Sequence, residues 1–285
     1  MMDRSSTSSP TLMPLDPTPW AAVRRHARMW RAFVAIALVR EVQFRANALA
    51  TLLVGVVQLV VSLVPILLLF SFAGEVNGWS QADVLVVAGL QQAMAGLLAA
   101  FIGPNMQRMT TYVSEGDLDG LLVRPMNAHM HVATRWVRPA ELFSVLSGLG
   151  LAVIGLIHRG TMPSALGVGQ AVVLFAAGFV LLSCAWSMVA TCAFWTSSMS
   201  AGSMVFGDLT QAGRYPVTFF PRAVQVFLVA IVPWALATTF PAEALTHGLS
   251  QWWIVPASVL FAGGAVFASH AFWNVAIRRY ASASS

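Results

Sequence analysis

The chain has 285 residues, of which 58% are hydrophobic and only 9% charged, whereas soluble domains carry about a quarter charged residues; a soluble globular protein is excluded. All 16 basic residues are arginine and no lysine occurs, which rules out a G-x-x-x-x-G-K-[ST] phosphate loop, a Schiff-base lysine and a kinase-type phosphate lysine. The formal net charge of +5 comes from arginines set beside apolar runs rather than on a soluble basic face, so no nucleic-acid partner is expected.

Residues 1–19 are rich in Ser, Thr and Pro and read as a disordered tail. Residues 20–46 follow with Arg24, Arg28 and Arg31 on one helical face and Trp20, Val23, Ala27, Trp30 and Val34 on the other. That pattern predicts an amphipathic helix lying in the lipid headgroup plane. A six-span domain is expected over 47–279, with spans at about 47–72, 84–103, 141–158, 168–197, 223–240 and 253–277. Each is near the ~20 residues that cross a bilayer. Pro233 should kink or break the fifth. Residues 280–285 form a short tail.

Arginine placement predicts the orientation. With the amino terminus cytoplasmic, fifteen arginines fall inside, Arg214 and Arg222 among them, and only Arg159 falls outside. The expected fold is therefore an all-α polytopic membrane protein with six transmembrane helices, an N-terminal interfacial helix and both termini cytoplasmic. Membrane lipids are its surroundings. Cys184 and Cys192, eight residues apart in one apolar run, would stand about 12 Å apart along a helix, too far for a disulfide.

The loop Pro104–Ala140 is the most informative segment. Ser114 to Asp117 reads as a capping box, and Asp117 and Asp119 suit the positive end of a helix dipole. Leu118, Leu121 and Leu122 make one apolar stripe, and Pro125 ends the helix after Arg124. Such a helix either rests on the membrane surface or on neighbouring spans, or enters a groove on a soluble partner. His129 and His131 read as solvated loop, because no Asp or Glu lies near to complete a metal or catalytic site.

Within the spans, no central Asp or Glu is available for ion coupling; Glu141, His158, His270 and Asn274 lie toward span ends. Gln58, Gln91 and Gln92 are polar residues in apolar surroundings that should face protein or a cavity rather than lipid. They are candidates for a substrate path suited to a lipid-like, drug-like or peptide substrate. Ser147-Gly148, Gly150, Gly155 and Gly263-Gly264 suit close helix packing.

Gly116-Asp117-Leu118-Asp119-Gly120-Leu121-Leu122-Val123-Arg124-Pro125 resembles the G-x-L-D-x-x-L-x-R-P signature of one branch of the type-2 ATP-binding-cassette (ABC) exporter permeases. Gly78-Trp79-Ser80 ahead of Asp83-Val84-Leu85 resembles that family's first outer loop. Tyr215-Pro216, Phe220-Pro221-Arg222, Pro233 and Phe240-Pro241 resemble its proline framework near span five. The resemblance implies a permease subunit of a bacterial plasma (cell inner) membrane exporter, not itself an enzyme. It would pair with a second permease copy or a homologous permease and dock on separate ABC ATPase subunits. It implies that the loop supplies a coupling helix through Glu115, Gly116, Asp117, Leu118, Asp119, Leu121, Leu122, Arg124 and Pro125. No cofactor would be bound by this chain, with ATP and Mg held on the partner ATPase. An ion-coupled secondary carrier or a membrane-embedded enzyme is the alternative.

Overall fold

A computed structural model describes residues 19–43, 45–115, 118, 120, 128–195, 213–230 and 233–279. The described residues are all-α apart from one hairpin of two two-residue strands. α1 (Pro19–Gln43) and α2 (Arg45–Phe72) lead to β1 (Glu75–Val76) and β2 (Trp79–Ser80), then α3 (Gln81–Leu97). A π-helical stretch, Leu98–Ile102, carries α3 into α4 (Gly103–Met106) and α5 (Met109–Ser114). α6 (Ala128–Thr134), α7 (Leu142–Arg159) and α8 (Ala165–Thr191) follow. Then come α9 (Arg222–Ala230), α10 (Trp234–Ala237), α11 (Thr239–Thr246) and α12 (Ile254–Arg279). Among the described residues five long apolar helical stretches fit a polytopic membrane protein.

The second span continues past 103, where the sequence placed its end. Pro104 has no N–H to give to an α-helical ladder. Leu98–Ile102 relax into π geometry before it, with the Gly103 N–H bonded five residues back to Leu98 O, and Pro104 starts the next turn. The helix therefore runs on as far as Ser114. Ser114 closes this helix instead of opening another, and the expected capping box passes into 116–117, outside the described residues.

α3 is the hub of the bundle: 72% of its apolar window is buried, against 17% for α2 and for α12. Its packing on α7 is at backbone distance. A Cβ on Gly89 would stand 2.4 Å from Ala152 N, and one on Gly148 would stand 2.4 Å from Ala93 N. Gly155 is packed as closely, whereas Gly150, Gly263 and Gly264 have nothing within 4 Å. Small residues thus bring α3 and α7 together, as expected at 148 and 155 but not at 150, 263 or 264.

The described core divides between the two ends. Ile66, Trp79, Val84 and Ala242 cluster at the hairpin end. Met94, Met109, Tyr112, Leu118, Val132, Trp186 and Trp273 cluster at the other, here called the arginine-rich end. α2 starts and α12 finishes at the arginine-rich end.

The fifth span is where structure and sequence part. α9 and the α10–α11 pair are bent by 68°, with Pro233 (φ −72°, ψ 49°) at the turn. Both flanks lie at the hairpin end: Asn77 Nδ2 donates to Thr218 O at 3.0 Å, and His247 sits 3.6 Å from Asp83. The 223–240 stretch therefore dips into the bundle and returns rather than crossing it. Trp195 packs on Phe272 at the arginine-rich end, so the chain changes ends between 195 and 218. Arg222 consequently belongs near the hairpin end, and Arg214 lies on the way there, not with the other arginines. The dip passes for a span in hydropathy because α9 keeps apolar side chains exposed, Val224, Val226, Phe227 and Val229 among them.

Candidate functional site: the two ends of the bundle

At the hairpin end, Asn77-Gly78 takes positive φ (51° and 80°), the geometry of a tight two-residue turn, and sets Val76 opposite Trp79. Ser80 then caps α3. Its Oγ accepts from Asp83 N at 3.3 Å, while Ser80 N and Oγ donate to Asp83 Oδ2 at 3.1 and 2.7 Å. Asp83 is 2% exposed, and a carboxylate so buried needs partners. Arg159 Nε lies 3.0 Å from Oδ1 and His247 Nε2 3.6 Å from Oδ2. His247 meets the edge of Trp79 at 5.6 Å and pairs with Thr246 Oγ1 at 2.9 Å. One carboxylate thus fastens three loops. The lone arginine that the sequence placed outside is its ion-pair partner. The S-x-x-D spacing of Ser80 and Asp83 was the available signal for this cap; the Arg159 and His247 partnerships had none.

At the arginine-rich end, Glu115 and Gly120 are exposed and Leu118 is 0% exposed. Leu118 packs inward in a cluster with Met109, Tyr112, Val132 and Trp273, tying the loop to its own spans. Gly116, Asp117, Asp119, Leu121, Leu122, Arg124 and Pro125 lie outside the described residues. α6 drives the loop further into the bundle. His131 is 4% exposed and meets Phe33 of α1 edge-on at 5.6 Å. His129 stacks on Trp273 at 4.9 Å and shares a hydrogen bond with Ser187 Oγ at 3.0 Å. Burial, and next the nearby His270, lower its pKa to about 4. The two histidines are packed elements, not solvated loop, because α6 is wedged among α1, α8 and α12.

Gln91 and Gln92 are buried (2% and 8%), Gln91 close to Gly213 beside Trp234, whereas Gln58 is exposed on α2. The three are not brought together. An apolar cavity of about 650 Å³ lies elsewhere, between α8, the α9–α11 dip and α12, with Met188, Pro233 and Phe261 in its wall. Glu243 and Ser250, 3.4 Å apart, are among its polar groups. Among the described residues no three His, Cys, Asp or Glu side chains gather as metal ligands.

The family model described as ABC-2 family transporter protein matches residues 56–284, from the first span through the dip to the last helix. The chain belongs to the ABC-2 transporter family. No curated protein and no solved structure matches it. Membership in that family makes the chain a multi-pass membrane permease, and the family pairs such permeases with ABC ATPase subunits.

Proposed function

We propose that the chain is the transmembrane subunit of an ABC exporter, working as a dimer of permeases driven by separate ATPase subunits. Its arginine-rich end faces the cytoplasm, and both termini lie there. The loop between spans two and three carries the coupling contact: Glu115 and the segment through Pro125 meet the ATPase, Leu121 and Leu122 seat in its groove, and Asp117 and Asp119 orient it. The observation that carries this reading is the wedging of that loop. Leu118, His129 and His131 lock it to Trp273, Ser187 and α1, so a push on the loop reaches spans four and six directly. Converting a 1:99 mixture of inward- and outward-open states to 99:1 requires about 5.5 kcal/mol of differential binding, which a rigid wedge can transmit. The absence of lysine, and with it of a P-loop, supports nucleotide sites on the partner. The apolar cavity beside the dip favours a lipid-like or otherwise apolar substrate.

The test is co-purification and ATP-dependent transport in liposomes with the cognate ATPase. Leu121→Ala/Leu122→Ala should abolish both while the permease remains folded. Unchanged ATPase binding and transport in that variant would refute the coupling assignment.

A further inference from the structure

A second cavity, about 420 Å³ in volume, opens at the arginine-rich end where α1, α2, α4 and the start of α7 converge. Its wall includes Arg40, Arg108 and Arg138 together with Glu41 and Glu141. Trp136 is the floor, and it is held rigidly. Asn105 Nδ2 donates to Trp136 O at 2.8 Å, Trp136 N donates to Asn105 Oδ1 at 2.7 Å, and the indole Nε1 donates to Tyr112 Oη at 2.7 Å. The Arg108 guanidinium stacks 3.7 Å over the ring, and that of Arg40 lies 5.3 Å from it.

Arg138 and Glu41 both act on Glu141 through space, yet none of these arginines forms an ion pair with a described carboxylate. The ion pairs found among the described residues are those of Asp83 at the opposite end, so no described carboxylate comes within 4.0 Å of Arg40, Arg108 or Arg138. Arg40 donates to Val137 O, and Arg138 to Gln107 Oε1, each at 3.5 Å. Three guanidinium groups aimed at one cavity match the oxygens of a phosphate. The two glutamates on the same wall would repel a second negative charge and attract an ammonium. Outward along the spans that frame the cavity, Leu53, Val54 and Leu146 are exposed apolar side chains, a surface for acyl chains.

We propose that this cavity binds the headgroup of a membrane phospholipid that carries both a phosphate and a protonated primary amine. The arginines take the phosphate and Glu41 and Glu141 take the amine. The site requires neither the ATPase nor transport, so its test stands apart from the coupling assignment.

Full-length protein is exchanged into nanodiscs holding equal parts phosphatidylethanolamine, phosphatidylglycerol and phosphatidylcholine, and the lipids retained after mild delipidation are counted by native mass spectrometry. The wild type should retain phosphatidylethanolamine over both others. At about five-fold per arginine near a membrane surface, Arg40→Gln/Arg108→Gln/Arg138→Gln should weaken retention on the order of a hundred-fold. Glu41→Gln/Glu141→Gln should retain phospholipid but lose the preference for the amine headgroup. Equal retention of the three lipids by the wild type, a reading that needs no variant, would overturn the proposal. So would unchanged retention in the triple variant, or displacement of the lipid by millimolar inorganic phosphate, which would mark a free-anion site instead.

Discussion

The two ends of the bundle use charge in opposite ways. At the hairpin end a single buried carboxylate, Asp83, holds Ser80, Arg159 and His247, and the charges are spent on one another. At the arginine-rich end Arg40, Arg108 and Arg138 line the cavity at Trp136 with no described carboxylate within ion-pairing distance. One end is a closed fastening, and the other leaves its arginines without a described ion-pair partner. In the proposed exporter, driven from the arginine-rich end, the far end holds its loops together while the near end keeps contacts to offer.

Asp83→Ala should break this contrast hardest. It removes the cap and leaves Arg159 unpaired, at a cost of about 4 kcal/mol, read as a large fall in the thermal unfolding midpoint; a shift within error would show that the cluster is not a fastening. Leu118→Ala should cost about 3 kcal/mol by leaving a cavity beneath the loop. A loss of ATPase binding without any loss of stability would instead return Leu118 to the contact surface.

The pH dependence has a defined sign. His129 is held neutral in the folded protein down to about pH 4, while an unfolded chain takes up the proton near its ordinary value of 6.5. Protons therefore favour unfolding as pH falls from 6.5 to 4, with no further loss from this group below that window. Ser187, His270 and Trp273 face the ring; His129→Gln should flatten the stability profile across the window relative to wild type. The smallest effect is expected at the open end: Arg108→Gln should cost only about 0.5 kcal/mol, the worth of an exposed cation–π contact. A loss as large as that at Asp83 would erase the difference between the ends.

Much of the fold is written in hydropathy. Spans one to four and six are apolar runs of bilayer length, and arginines delimit most of them. The dip is not legible that way. Phe220 to Phe240 is as apolar as a span, and no charge separates Thr161 from Gly207, so nothing in the pattern marks where the fourth span ends. The site follows the same logic. Ser80 and Asp83 are three residues apart and readable as a cap, but Arg159 and His247 come from distant loops. His129 and His131 look solvated in a polar loop; only tertiary packing shows that α6 is driven between α8 and α12.

The asymmetry of the ends is tested most directly by site-specific photocrosslinking in the native membrane. A photoreactive side chain at exposed Glu115 should capture a chain that carries a P-loop lysine and binds ATP, whereas the same probe at Asn77 on the hairpin tip should capture no such chain. Capture of the ATPase from Asn77, or its absence at Glu115, would contradict the account.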